Sequence, residues 1–90
     1  MGDIVRRVSK ANPKLSELLI PEGKVLFNEG DKASAMYIVQ DGEIEISIDN
    51  AQHVVAHLRK GASFGEQSVI GTKHRLASAR ATAESVCLEI

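Results

Sequence analysis

This sequence predicts a mainly β domain, a small sandwich or jelly-roll barrel. Three observations carry that prediction. Apolar residues alternate at period two from Lys24 onward, the alternating segments recur at roughly ten-residue spacing, and glycine-bearing turns separate them.

Residues 1–22 are expected to be different. Asp3 is placed to cap a helical turn carrying Ile4, Val5 and Val8, and Asn12-Pro13 to end it and open a second short helix bearing Leu15, Leu18 and Leu19. Pro21-Glu22-Gly23 closes this helical segment, and residues 23–90 form the barrel of what is one domain. Strands are predicted over 24–28 and 35–40, with Glu29-Gly30-Asp31 turning between them. Asp41-Gly42 is a strong hairpin signal leading into 43–48, where Ile44, Ile46 and Ile48 share one face and Glu43, Glu45 and Ser47 the other. Asp49-Asn50 turns into a strand over 53–58, and Gly61 marks the next turn. Strands over 76–82 and 85–90 complete the set. Ala77, Ala79, Ala81 and Ala83 share a face, leaving room for something to lie close to the backbone.

Ninety residues support one small core. Eleven basic against twelve acidic side chains give no field to attract a nucleic-acid backbone, and no apolar run is long enough to span a membrane. Cys87 is alone, so no disulfide framework exists and a reducing, cytoplasmic setting is expected. It is read as an inert thiol. His53 and His57 are predicted to share a strand face, but no third ligand follows and no metal is expected. No nucleophile–base pair or paired acids at catalytic spacing stand out, so the chain is not expected to be an enzyme. Arg6-Arg7-Val8-Ser9 matches a short pattern favoured by basophilic kinases, though a solvated helix face is the stronger reading. Phe27 and Tyr37 read as core.

One loop carries chemistry. Phe64-Gly65-Glu66-Gln67-Ser68 and, further on, Arg75-Leu76-Ala77-Ser78 place a glycine, an acid and an arginine within one segment. Backbone N–H groups and an arginine fork suit a phosphate, and a carboxylate suits ribose hydroxyls. These residues, with Gly23 to Asp31, Met36-Tyr37-Ile38-Val39, Gly42-Glu43-Ile44-Glu45 and Gly61, resemble a cyclic nucleotide-binding domain from about Gly23 to Ile90. This is the module of catabolite-activator-type regulators, kinase regulatory subunits and cyclic-nucleotide-gated channels.

The resemblance implies an eight-stranded jelly roll with flanking N-terminal helices, a short helix in the phosphate-binding cassette and a cyclic nucleotide inside the barrel. By that resemblance Glu66 and the Gly65 backbone hold the ribose 2′-hydroxyl. Arg75 pairs with the cyclic phosphate, and backbone N–H groups near Ser68 and Ala77 add to it. Gln67 departs from the usual Leu or Ile. Leu76 stands where cGMP-preferring members carry Thr, which favours cAMP over cGMP as the ligand. The chain stops at Ile90, so the helices that cap the purine in the family are expected to be absent. The expected role is a regulatory, cyclic-nucleotide-binding domain needing no cofactor, working with other domains of a parent protein or in a homo-oligomer. A non-binding docking domain of the same fold is the alternative.

Overall fold

A computed structural model describes residues 2–33, 35–65 and 74–90. Among these the regular structure is all β, in two antiparallel sheets. The strands in chain order are β1 (Val5–Val8), β2 (Ser16–Ile20), β3 (Val25–Phe27), β4 (Tyr37–Asp41), β5 (Ile44–Ile48), β6 (His53–Leu58), β7 (Ser63–Phe64), β8 (Ser78–Ala81) and β9 (Ser85–Glu89). One sheet has the order β1-β2-β9-β4-β7, the other β3-β8-β5-β6.

The N-terminal segment forms strands where helices were expected. Leu18 and Ile20 are buried while Leu19 is half-buried, the period of a strand, and β2 pairs along its whole length with β9. β1, with β-branched residues at both ends, pairs with β2 as an edge hairpin. The apparent helix signals serve the turn between them. Asn12 Oδ1 accepts from Lys14 N at 3.0 Å, and Ser9 Oγ accepts from Ala11 N and Asn12 N at 3.2 and 3.3 Å. Capping residues and turn residues use the same side-chain-to-backbone bonds, so the pattern fits either element. Asp3 faces Lys24 Nζ at 3.4 Å instead of capping a helix.

Asp41-Gly42 is also not a hairpin turn. It is the corner at which the chain leaves one sheet for the other, since β4 pairs with β9 and β7 while β5 pairs with β6 and β8. Gly42 has φ +85°, and a Cβ there would lie 2.5 Å from Glu84 O and 2.7 Å from Ser85 Cα. Only glycine permits so close a meeting of the β4–β5 corner with the β8–β9 turn.

The β5–β6 hairpin forms as predicted, through Asp49, Asn50 and Ala51 at φ 56°, 56° and 69°. A bulge then sets Val54 opposite Ser47 and Ala56 opposite Ile46, leaving Val55 over. This one-residue shift places His53 beside Ile48 and His57 beside Glu45, on opposite faces of the sheet, where a shared face was expected. Ser47, expected to share a face with Glu43 and Glu45, is buried opposite Ser78.

The core draws on both sheets. Leu18, Ile20, Tyr37, Val39 and Cys87 come from one, Ile44, Ala79 and Ala81 from the other, and Phe64 joins them from β7. Burial pushes the Cys87 thiol up to about 11, which keeps it protonated and unreactive, in line with the inert reading.

Candidate functional site

Among the described residues Arg75 is the charged side chain that the fold takes furthest from water, only 7% exposed. Its backbone is clamped before β8 begins. Arg75 N donates to Asp31 O at 2.7 Å, Gly30 N donates to Arg75 O at 2.8 Å, and His74 bridges Lys32. The Asn28–Asp31 turn therefore fixes the point from which the side chain enters.

The guanidinium then meets carbonyls and rings. Nη2 donates to Ala35 O at 2.9 Å and Nη1 to Gly65 O at 3.3 Å, while buried Nε has no hydrogen-bond partner among the described residues. Cζ sits 4.1 Å above the Phe27 ring centroid and 5.5 Å from that of Tyr37. No described carboxylate pairs with it. A guanidinium cannot shed its proton in a protein, so this positive charge is held where an unpaired donor costs about 1–3 kcal/mol. An anion is the natural partner for it.

Gly65 makes the approach possible. It has φ +80°, and a Cβ on it would lie 2.7 Å from Arg75 Nη1. Both residues line a cavity of about 230 Å³ together with Phe27, Phe64, Leu76 and Ala77, and with Ile46, Ala56 and Leu58 on its apolar side. An apolar wall facing one cation suits a small organic anion.

Of the residues expected to form the site, Gly65, Arg75, Leu76 and Ala77 are brought to this one cavity. Leu76 is 60% exposed at its edge. Glu66, Gln67 and Ser68, with the expected cassette helix, lie outside the described residues. Sequence reasoning treated Phe27 and Tyr37 as core alone and missed their place beneath Arg75. A signal was present, because the chain has only two Phe, one Tyr and no Trp. All three rings converge, with centroid separations of 5.3 to 6.1 Å.

The other candidates lie elsewhere. His53 Nδ1 is 3.0 Å from Asp49 Oδ2, and His57 Nε2 is 3.7 Å from Glu45 Oε2, both exposed. No group of three metal-ligating side chains occurs among the described residues. Ser9 is buried, with its hydroxyl accepting within the β1–β2 turn, and Arg6 and Arg7 are paired with Glu89 and Glu17.

Two antiparallel sheets and a cavity with an arginine in its wall define a β domain with a buried cation beside a small cavity. Comparison with known proteins gives the family. A profile of the cyclic nucleotide-binding domain matches residues 17–90, and the chain belongs to that family. The cAMP-dependent protein kinase regulatory subunit of Emericella nidulans is 32% identical over 76 residues, covering 84% of this chain and 18% of the relative. The catabolite activator protein of Thermus thermophilus superposes with a TM-score of 0.78 at 32% identity, covering 84% of this chain and 37% of that one. The EAL enzyme Bd1971 in its cGMP-bound form superposes with a TM-score of 0.74 at 31% identity, covering 82% and 20%. Its cAMP-bound form gives 0.75 at 28%, covering 82% and 21%. The chain thus spans about a fifth of the length of the kinase subunit it resembles. No helix among the described residues is long and apolar enough to cross a membrane.

Proposed function

We propose that this chain is a regulatory domain that binds a cyclic nucleotide, cAMP in preference to cGMP, in the cavity walled by Gly65 and Arg75. The observation that carries the reading is Arg75 itself: a buried cation with a vacant donor, facing a small cavity, in a family defined by cyclic-nucleotide binding. In this reading the two sheets are the halves of a jelly roll. The cyclic phosphate takes the free edge of the Arg75 guanidinium, and Glu66 with the Gly65 backbone takes the ribose 2′-hydroxyl. The backbone around Ser68 and Ala77 adds N–H donors, and Gln67 and Leu76 complete the set of residues that contact the nucleotide. Bd1971 is described with either nucleotide bound, so the fold alone does not choose the base. Leu76, exposed at the cavity edge and without a hydroxyl for a guanine amino group, favours adenine. The domain acts by ligand-dependent regulation rather than catalysis, in a cytoplasmic setting, coupled to other domains of a parent protein or to a second copy.

Calorimetric titration of cAMP and cGMP into the chain tests this. Saturable binding of cAMP, weaker binding of cGMP and loss of at least about a hundredfold in Arg75→Ala are expected, because the desolvated cation and its bidentate bonds go together. Arg75→Lys is expected to lose nearly as much, since an ammonium cannot present two parallel donors. No binding of either nucleotide at millimolar concentration, or unchanged affinity in both variants, overturns the reading and favours a docking domain of the same fold.

A further inference from the structure

We propose that Phe27 and Tyr37 are positioning residues for Arg75: their ring faces hold the guanidinium at the cavity wall so that its edge stays available to an anion. The inference rests on the cyclic-nucleotide reading only for the ligand used to test it. A buried arginine is commonly held by a carboxylate, but a carboxylate occupies the same fork that a phosphate needs. Among the described residues Arg75 has none. A ring engages the guanidinium by its face and leaves the in-plane N–H groups alone. Of the five N–H donors an arginine carries, described residues take two, through Ala35 O and Gly65 O. The Phe27 and Tyr37 centroids, 4.1 and 5.5 Å from Cζ, are both within the roughly 6 Å over which a ring attracts a cation.

The rings are themselves held in place, as a positioning role requires. Phe27 pairs across to Ala79, whose small side chain leaves space, and packs 6.0 Å from Tyr37. Tyr37 stacks on Phe64 at 5.3 Å, and its hydroxyl donates to Glu89 Oε2 at 3.3 Å, a carboxylate anchored in turn by Arg6. Without the Phe27 face the guanidinium is free to occupy other rotamers. Apparent affinity then falls in proportion to the population still poised at the wall.

The test compares the full chain with Phe27→Leu, which keeps apolar bulk without a π-face, and Phe27→Tyr, which restores the face. Calorimetry with cAMP should show about three- to thirtyfold weaker binding in Phe27→Leu and recovery to within about twofold in Phe27→Tyr. Proton–nitrogen NMR of the ligand-free chain should show the Arg75 Nε–H resonance displaced upfield by the ring current in wild type and Phe27→Tyr, but not in Phe27→Leu. Wild-type affinity in Phe27→Leu, equal losses in both variants, or an undisplaced resonance in wild type overturns the proposal. If Phe27→Leu does not fold, the Tyr variant and the wild-type resonance still decide. If wild type binds no nucleotide, the proposed function fails, and the resonance by itself upholds or overturns the cradle.

Discussion

The β4–β5 corner and the Arg75 wall both bring polar groups together beside a glycine at positive φ, and they treat those groups in opposite ways. At the corner, polar groups are matched. Glu43 N donates to Ser85 Oγ at 3.0 Å, Thr82 N donates to Glu43 O at 3.0 Å, and Ser85 Oγ donates to Ala83 O at 2.7 Å. The Glu43 carboxylate accepts from Thr82 Oγ1 and pairs with Arg59 Nη2, each at 2.6 Å. At the wall a more deeply buried charge keeps a donor without a described partner. Saturated polar groups at a corner hold two sheets in register, whereas the unsaturated one beside the cavity is the group that the proposed nucleotide would engage.

The two glycines break that comparison most sharply. In Gly42→Ala the new Cβ meets Glu84 O and the Ser85 backbone, neither of which has room to retreat without parting the sheets. Left-handed strain of about 1–2 kcal/mol and overpacking of about 1–3 kcal/mol combine to a loss of about 3 kcal/mol. For a domain of this size the melting temperature should fall by on the order of 10–20 °C. A melt within a few degrees of wild type contradicts the view of the corner as a rigid joint.

Gly65→Ala carries similar backbone strain, but its Cβ meets the end of the Arg75 side chain, which can move aside. Stability should fall by only about 1–2 kcal/mol, while nucleotide affinity drops about tenfold as the guanidinium is displaced from its seat. Melting and calorimetry on the same sample separate the two glycines. Equal ratios of stability loss to affinity loss would erase the distinction between joint and site.

Much of this was legible in the chain because the signals are local. Gly30, Gly42, Gly61 and Gly65 all take positive φ, at +90°, +85°, +94° and +80°, and β4, β5 and β6 fall close to their predicted positions, whereas the two-residue β7 was not predicted. Arg75 stood out by its setting in one loop. The failures are non-local. β2 became a strand because β9, about seventy residues on, offered it an edge, and that partner outweighed the local capping pattern around Ser9 and Asn12. The Asp41-Gly42 signal gave the turn but not the sheet that the next strand would join. The bulge at Val55 changed which histidine faces which side, through a register that only the paired strand defines. The aromatic cradle was hidden for the same reason, since Phe27, Tyr37 and Arg75 meet only when β3, β4 and the approach to β8 are packed together.

The smallest expected effect probes the saturated side. The Thr82 hydroxyl, donating to the carboxylate, holds Glu43 below its ordinary value of 4.5; Arg59 and His57 add to this and partial burial opposes it. A carboxyl whose folded value is depressed contributes stability above its unfolded value and loses it as pH falls through the folded one. Thr82→Val removes the leading cause while keeping the branched shape. Wild type should therefore melt slightly above the variant at neutral pH, and the gap should narrow as pH falls below about 4.5. Because the Arg59 side chain is 72% exposed, its share should also weaken with added salt, whereas the Thr82 share should not. A gap that persists unchanged into acid assigns the Thr82 contribution to packing against the corner and removes the carboxylate from the account. A gap that closes on the predicted side of 4.5 marks the corner as a place where even a half-buried charge has its valence filled, in contrast to Arg75.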